Sequence, residues 1–562
     1  TPGMDKEISN EFQKILTKQG IKFKLNNKVT AVKNMNGKVI VDYTNNTTAV
    51  NNTAIGRSAL ALNTTANNNT AVGYNSLAAN TTAANNVAVG FQAATSNTTG
   101  ANNTVVGKQA LLSNTTGLHH TAVGQLALSQ NTTGTYNTAL GSFALQNTTT
   151  GYRNVGLGYG ALRQNTVGFY NIGIGFGAGG LTTTGDYNVS VGGNALIDNT
   201  TGGSNVAIGY GSLTNSTTSS FNTAVGTNAL EANTTGANNT AVGSQALDSN
   251  TTGDDNTAVG FQAAYYNTTG TELTAIGRRS LKSNTTGSYS TAVGLNSLLF
   301  NTTGAQNTAV GVSALQSNTT SSYNVAVGYQ TLYSNTTAGY NLAIGYQAGY
   351  NTTGSRNTYV GFGSGSLMTT GANNTIIGQY NGNAGGLDIR TSSNNIVLSD
   401  GSGNPRGYFS SVGAFHIDKT PFGGGTGIYL NNTNSQAWIG MRFQTGGSTV
   451  GYISVGTSST SYVTSSDYRL KENVIYDWDA TTRLKQLKPA RFNFIADADK
   501  TVDGFLAHEA QAVVPECATG TKDEVDDDGN AVMQGIDQAK LVPLLVKTIQ
   551  ELETRITALE AE

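Results

Sequence analysis

One phrase, NTAVGTNALEANTTG from Asn222 to Gly236, returns along most of the chain at a fixed spacing of 17 residues. Its glycine stands at Gly56, Gly73, Gly90, Gly107, Gly124 and onward without slippage to Gly345, then at Gly361 after one deletion, and at Gly378, making 20 coils. The residue before it is Val or Ile in 18 coils and Leu in two (Leu140, Leu157), and the fourth residue after it is Leu in 14. Columns of this kind mean stacked side chains. A short β-branched run, a glycine able to take positive φ, a second apolar pair and an Asn-Thr-Thr-Gly turn together describe one coil of a β-solenoid. No proline occurs between Pro2 and Pro405, as expected if the N–H groups of every coil bond to the next. At about 4.8 Å per coil, 20 coils predict a rod of roughly 95 Å.

Each coil offers only about four apolar residues, mostly Ala and Val, a thin core for a chain standing alone. Several chains sharing one core is the expectation. Within 562 residues there are 70 Gly, 6 Pro and 11% charged residues, with a net charge of -2. That balance argues against a basic nucleic-acid binder and against an acidic tail protein, so no nucleic-acid partner is expected. Cys517 is the single cysteine, and His119, His120, His416 and His508 stand at no zinc spacing with other ligands. No metal and no cofactor are expected. No apolar run approaches the roughly 18 residues of a membrane span, and the opening residues carry no charged-then-apolar signal pattern, so no membrane insertion is expected.

Four regions follow from the change in pattern: 1–50, 51–382, 383–465 and 466–562. In the repeat region the phrase N-T-A-V-G-x-x-A-L resembles the head repeat of YadA-like trimeric adhesins over about Asn51 to Gly382. That resemblance implies a single-chain β-roll that associates in threes, although the coil length differs. The repeat is similar also to those of bacteriophage tail-fibre proteins. Gly175 to Gly180 satisfies G-x-G-x-x-G, but in phase with the repeat and without a strand-to-helix context, so a dinucleotide site is not expected. The Asn-Thr-Thr triplets are formal glycosylation acceptors whose fixed phase reads better as turn ladders. His119-His120 reads as an exposed turn. Aromatic residues recur after the column glycine (Tyr74, Phe91, Tyr159, Phe176, Tyr210, Phe261, Tyr329, Tyr346, Phe362), either as a structural stripe, the favoured reading, or as a sugar-binding face.

Residues Met4 to Tyr43 read as an amphipathic helix followed by short strands, and they resemble a piece of the nicotinamide-binding domain of dihydrolipoamide dehydrogenases. Neither the reactive cysteine pair nor the glycine fingerprint of that family is present, so a cap or attachment segment is expected. Between Asn383 and Ser465 β-formers alternate with Gly and Ser turns, which predicts a β-rich distal domain, with Trp438, Phe443, Tyr452 and Tyr462 as packing or display residues.

After Ser466 the composition turns charged and helical, predicting a separate domain of about 97 residues, enough for a small core. Val542, Leu545, Ile549, Leu552, Ile556 and Leu559 are spaced as a heptad seam, a terminal coiled coil in which alternating Ile and Leu would by themselves favour a dimer. Arg555-Ile556-Thr557-Ala558-Leu559-Glu560 resembles the R-I-x-x-L-E motif of short trimeric coiled coils, in which Arg and Glu clamp neighbouring chains. The segments SDYRLKEN (Ser466 onward), RFNF, GFLAHEAQAVVPE (Gly504 to Glu516) and IDQAKLVPLLVKTIQELE closely resemble the C-terminal intramolecular chaperones of phage tailspikes and tail fibres, first named for endosialidases. The resemblance implies a domain that trimerises the fibre, helps it fold and cuts itself off in a single turnover. It also implies Ser466 as nucleophile, Lys471 as general base and Ser465-Ser466 as the scissile bond, with Asp467, Arg469 and Glu509 as supporting motif residues. A hydroxyl attacking an amide needs a base, and a desolvated lysine can serve. Asp526-Asp527-Asp528-Gly529-Asn530 has Gly535 where a calcium loop needs its closing glutamate, so a hairpin turn is expected.

The fold class expected is therefore mainly β: a trimeric β-solenoid rod of 17-residue coils, a β-rich distal domain and an α+β C-terminal chaperone ending in a coiled coil. The function expected is that of a homotrimeric phage fibre in the virion, contacting other virion proteins and a host-surface receptor, a glycan or envelope component. A cell-surface trimeric adhesin is one alternative. A glycan-depolymerising tailspike is another and would need a carboxylate pair on a coil face, for which the adjacent Asp254-Asp255 is poorly placed.

Overall fold

The computed structural model describes residues 27–35, 38–45, 51–411, 415–416, 438–445, 448–455, 460–464, 466–495, 497–526 and 529–562. The chain divides into two compact units, Thr1–Gly427 and Ile428–Glu562. The helix expected from Met4 lies outside the described residues.

The first unit is a β-solenoid. After β1 (Asn27–Met35) and β2 (Lys38–Asn45), β3 (Asn52–Ile55) begins a series of short strands, one per coil, that continues from β4 (Thr70–Val72) to β22 (Thr375–Ile377). Neighbours pair in parallel with a 17-residue register, as in Thr223↔Thr240, Ala224↔Ala241 and Val225↔Val242. From β4 onward the middle residue of each strand, usually Ala, points inward and is fully buried, while the residues before and after it face outward. The Leu four residues after the column glycine fills the rest of the coil interior, and Ala and Leu together form the core.

Two features of this core run against local preference. The column glycine is in a backbone region closed to other residues: Gly124 has φ 135°, and a Cβ there would lie 2.5 Å from the carbonyl of Gly141. The core leucines also sit at positive φ, Leu128 at 52° for example. That conformation costs an L-residue about 1–2 kcal/mol, which full burial of a leucine, worth about 1.5–3 kcal/mol, offsets. Where the inward strand residue becomes Tyr359, the flanking leucine positions become Gly349 and Gly365, and a Cβ on Gly365 would come within 2.5 Å of the tyrosine ring. The ring thus occupies space that leucines fill in other coils.

Polar ladders hold the turns. In the Asn-Thr-Thr-Gly turn, Asn250 Nδ2 donates to Asn233 Oδ1 at 2.8 Å and to the Gly253 carbonyl at 3.0 Å. Thr234 Oγ1 donates to the Thr251 carbonyl at 3.0 Å. A second ladder precedes the strands, where the Asn256 N–H donates to Asn239 Oδ1 at 3.0 Å. Most buried amides are thus partnered from coil to coil, as their burial requires, with single atoms such as Asn86 Nδ2 and Asn165 Oδ1 as exceptions.

The stack runs beyond its periodic sequence. A small hairpin, β23 (Asn383–Ala384) with β24 (Leu387–Asp388), is inserted, and β25 (Ile396–Ser399) then pairs in parallel with β22. Antiparallel β26 (Pro405–Phe409) and β27 (Phe415–His416) follow on that edge, and β2 pairs antiparallel with β3 at the other. Antiparallel strands therefore cover both free edges of the parallel stack.

In the second unit β28 (Trp438–Thr445), β29 (Ser448–Val455) and β30 (Thr460–Thr464) form an antiparallel sheet. Next come α1 (Ala480–Leu484), the β31 (Ala490–Phe494) and β32 (Asp497–Gly504) hairpin, α2 (Ala507–Val513), a second small antiparallel pair of β33 (Ala518–Thr519) with β34 (Gly535–Ile536), and α3 (Val542–Glu560). Ala480, Ala510, Val514, Cys517, Leu541 and Leu544 form its small core. Glu551 of α3 accepts the Ala480 and Thr481 N–H groups, each at 2.8 Å, tying α3 to the start of α1. Only Leu544 and Thr548 of α3 are buried.

Candidate functional site

Ser466 and Lys471 are joined in the structure. Lys471 Nζ lies 2.7 Å from Ser466 Oγ. Five residues of extended chain would hold the two apart by up to about 17 Å, so the chain must turn back between them. It does so through a single 3-10 turn, Tyr468–Leu470, capped by the Asp467 carboxylate. Leu470 N–H donates to the Asp467 carbonyl at 3.1 Å, and Lys471 N–H to that of Tyr468 at 3.0 Å.

Asp467 and Arg469 form one compact pair. The Asp467 carboxylate accepts the Arg469 N–H at 2.9 Å, Nε at 3.0 Å and Nη2 at 2.7 Å. Those bonds from Arg469 hold the Asp467 carboxyl below the usual carboxylate range, with the Lys471 charge adding to the effect. Glu509, at the start of α2, pairs with Lys488 at 3.6 Å and makes no bond to Ser466 or Lys471. Ser465, the other side of the expected scissile bond, lies outside the described residues.

The whole turn is open to water. Ser466 and Lys471 are exposed, as are Tyr468, Leu470, Val474, Ile475 and Tyr476 around them. Exposed apolar side chains also run along α3: Val542, Leu545, Ile549, Leu552, Ile556 and Leu559. Neither Arg555 nor Glu560 is in an ion pair among the described residues.

The motifs within the repeats resolve into coil architecture. Gly175 is a column glycine directly after a coil strand, and no helix follows it. Most of the Asn-Thr-Thr asparagines, Asn114 and Asn250 among them, are buried in the ladder, which closes them to glycosylation; in two coils Thr148 and Thr352 take the buried place and Asn147 and Asn351 are only partly buried. His120 corrects the expectation of an exposed turn: it is buried and stands in the asparagine ladder. Its Nε2 faces the Gly134 carbonyl at 2.8 Å and its Nδ1 accepts the Asn137 N–H at 3.3 Å. Burial lowers its pKa to about 4, against the opposing pull of those backbone bonds. Where aromatic residues follow the column glycine in successive coils they stack, Tyr159 on Phe176 at 5.4 Å and Tyr346 on Phe362 at 4.9 Å, both within 7° of parallel; Tyr210 and Phe261, without an aromatic one coil away, do not. Rings stacked this way spend faces on each other, which favours the structural stripe over a sugar platform.

Asp254 is spent on its own ladder, accepting the Ala237 N–H at 2.7 Å. A different acidic pair emerges from the register: Glu231 and Asp248 occupy the same column one coil apart, followed by Tyr265 and Lys282. Burial and then the Glu231 charge push the Asp248 carboxyl up to about 6. A search for carboxylates 17 residues apart would have found it. Asp526 caps its own turn, accepting the Asn530 N–H at 2.8 Å inside a hairpin bridged at Val525 and Ala531; Asp527 and Asp528 lie outside the described residues.

Comparison with known families adds two matches. Residues 466–519 match the family described as Chaperone of endosialidase. Residues 1–46 match the family described as Pyridine nucleotide-disulphide oxidoreductase. No curated protein and no solved structure matches the chain. A β-solenoid of about 20 coils followed by an endosialidase-type chaperone domain is the organisation of a fibre- or tailspike-type protein.

Proposed function

We propose that the chain is a bacteriophage tail or receptor-binding fibre, homotrimeric, that is matured by cutting its own C-terminal chaperone domain at Ser465-Ser466. The observation that carries this reading is the 2.7 Å contact between Ser466 Oγ and Lys471 Nζ inside the stretch that matches the chaperone family. In the reaction, neutral Lys471 takes the Oγ proton while Oγ bonds to the Ser465 carbonyl carbon. The C–N bond then breaks, its electron pair staying on the Ser466 nitrogen, which receives the proton back from Lys471. Water hydrolyses the resulting ester, leaving a Ser465 carboxylate and a free Ser466.

A lysine serves as base when it is desolvated, and Lys471 is exposed in the single chain. Other copies supply the cover. Two apolar surfaces support that step. One is the seam of α3. The other is the outward aliphatic column of the solenoid, where Leu140, Ile208, Ile276, Ile344 and Ile377 are each more than a third exposed. Contiguous apolar surface beyond a few hundred Å² is rare on soluble monomers, and a partner with the same axial repeat, a second and third copy, matches the column along its length.

Host attachment is assigned to residues 383–465, whose varied side chains suit recognition better than a repeated spacer; the receptor class is a surface glycan or envelope component. The Glu231–Asp248 pair favours a second reading, a glycan-depolymerising tailspike, which requires loss of polysaccharide hydrolysis in Asp248→Asn. The primary reading is tested by the N-terminal sequence of the released fragment, which should begin at Ser466. A fragment starting elsewhere refutes it.

A further inference from the structure

The turn that joins Ser466 to Lys471 lacks the support that usually holds so short a helix. One isolated turn fixes several dihedrals for few hydrogen bonds and is unstable by itself. Packing does not compensate, because no residue of Tyr468–Leu470 is buried. What remains is the Asp467 carboxylate, and all three of its side-chain contacts come from Arg469. The bidentate guanidinium bonds fix the carboxylate in the one orientation in which it also caps the turn.

Charge gives Arg469 a second effect. Asp467 lies close enough to Lys471 for the two charges to interact. A carboxylate free to swing toward the amine would pair with it, compete for it with Ser466 and favour its protonated form. A carboxylate already held by a guanidinium is both immobile and neutralised. The other charged neighbour is Glu472, next in the chain.

We infer that Arg469 is the positioning residue of the Ser466–Lys471 pair: it holds Asp467 as the cap of the turn and keeps that carboxylate off the lysine amine. This rests on the autoprocessing reading and adds to it a residue that acts without touching the reacting atoms. Removing the guanidinium therefore has two consequences, a looser turn and a lysine that gives up its proton less readily.

The experiment measures the rate of cleavage against pH in the full-length chain for the parent, Arg469→Gln, and Arg469→Gln combined with Asp467→Asn. In Arg469→Gln the rate falls about 10- to 100-fold at neutral pH, the scale of a misplaced reacting group, and its pH profile moves to higher pH. In the double variant the profile returns toward that of the parent while the rate stays low, because no carboxylate is left to capture the lysine. A purely structural role for Arg469 would lower the rate without moving the profile. Melting curves and light scattering on the same samples establish that fold and assembly are intact, as expected for substitutions in an exposed turn. If the parent is cut and Arg469→Gln is cut with the parent's rate and profile, the positioning role is wrong. If the profile does not move but the rate falls, Arg469 is structural and the inference is overturned. A parent that is never cut removes the autoprocessing reading itself, and the inference with it.

Discussion

His120 makes the asparagine ladder sensitive to acid at one coil. A neutral imidazole with its proton on Nε2 reproduces an asparagine amide, donating to the Gly134 carbonyl and accepting the Asn137 N–H on Nδ1. Protonating Nδ1 turns that acceptor into a donor facing another donor. Burial lowers the folded pKa from 6.5 to about 4. With the folded value depressed, the stabilisation is complete above pH 6.5, is lost as pH falls from 6.5 toward 4, and changes no further below that. The full loss is about 3 kcal/mol, and about 2 kcal/mol is lost by pH 5. Because a solenoid is stabilised coil by coil, the effect is local. Hydrogen exchange of peptides spanning residues 103–137, corrected for intrinsic rates, should show about 30-fold more opening at pH 5 than at pH 7. His120→Asn restores the ladder chemistry and should abolish most of that difference, while distant coils respond alike in both proteins. Equal pH dependence in the parent and in His120→Asn refutes the reasoning.

Tyr359→Ala should cost about 3–5 kcal/mol through the cavity it leaves, and adding Gly365→Leu, which rebuilds the ordinary coil interior, should recover most of it in chemical denaturation; a double variant no better than the single one contradicts the volume argument. Ile549→Asp with Ile556→Asp places charges in the α3 seam without touching Leu544, so light scattering should report monomers or dimers where the parent gives a trimer. A trimer of undiminished stability would remove α3 from the assembly account.

Much of this architecture was legible because the chain repeats. A 17-residue period fixes strand, glycine and turn positions by column, and the coils follow it up to Gly378. What periodicity could not reveal was where each column points. Core leucines at positive φ contradict their own local preference, and only burial explains them. His120 looked like half of an exposed His-His turn because the pair was read as neighbours in sequence, although the period places His120 in one column with Asn103 and Asn137; that this column is buried and hydrogen-bonded shows only in the structure. The stack's continuation to Ile396–Ser399 was hidden by the inserted hairpin, which breaks the count. Glu231 and Asp248 were missed because a search for neighbouring acids in sequence overlooks neighbours one coil apart. At the C-terminal turn the motif singles out Ser466 and Lys471, which the turn brings to 2.7 Å, whereas the bidentate contact between Asp467 and Arg469, two residues apart, becomes visible only once the turn is built.

On the proposed reading, a serine and a lysine joined by one turn cut the chain between Ser465 and Ser466. Intact mass measurement of the assembled protein, alongside Ser466→Ala and Lys471→Ala, tests it most directly. The account predicts two fragments from the parent, the smaller beginning at Ser466, and uncut full-length trimers from both variants. A parent that stays whole in a correctly assembled trimer, or either variant still cut between Ser465 and Ser466, would contradict it.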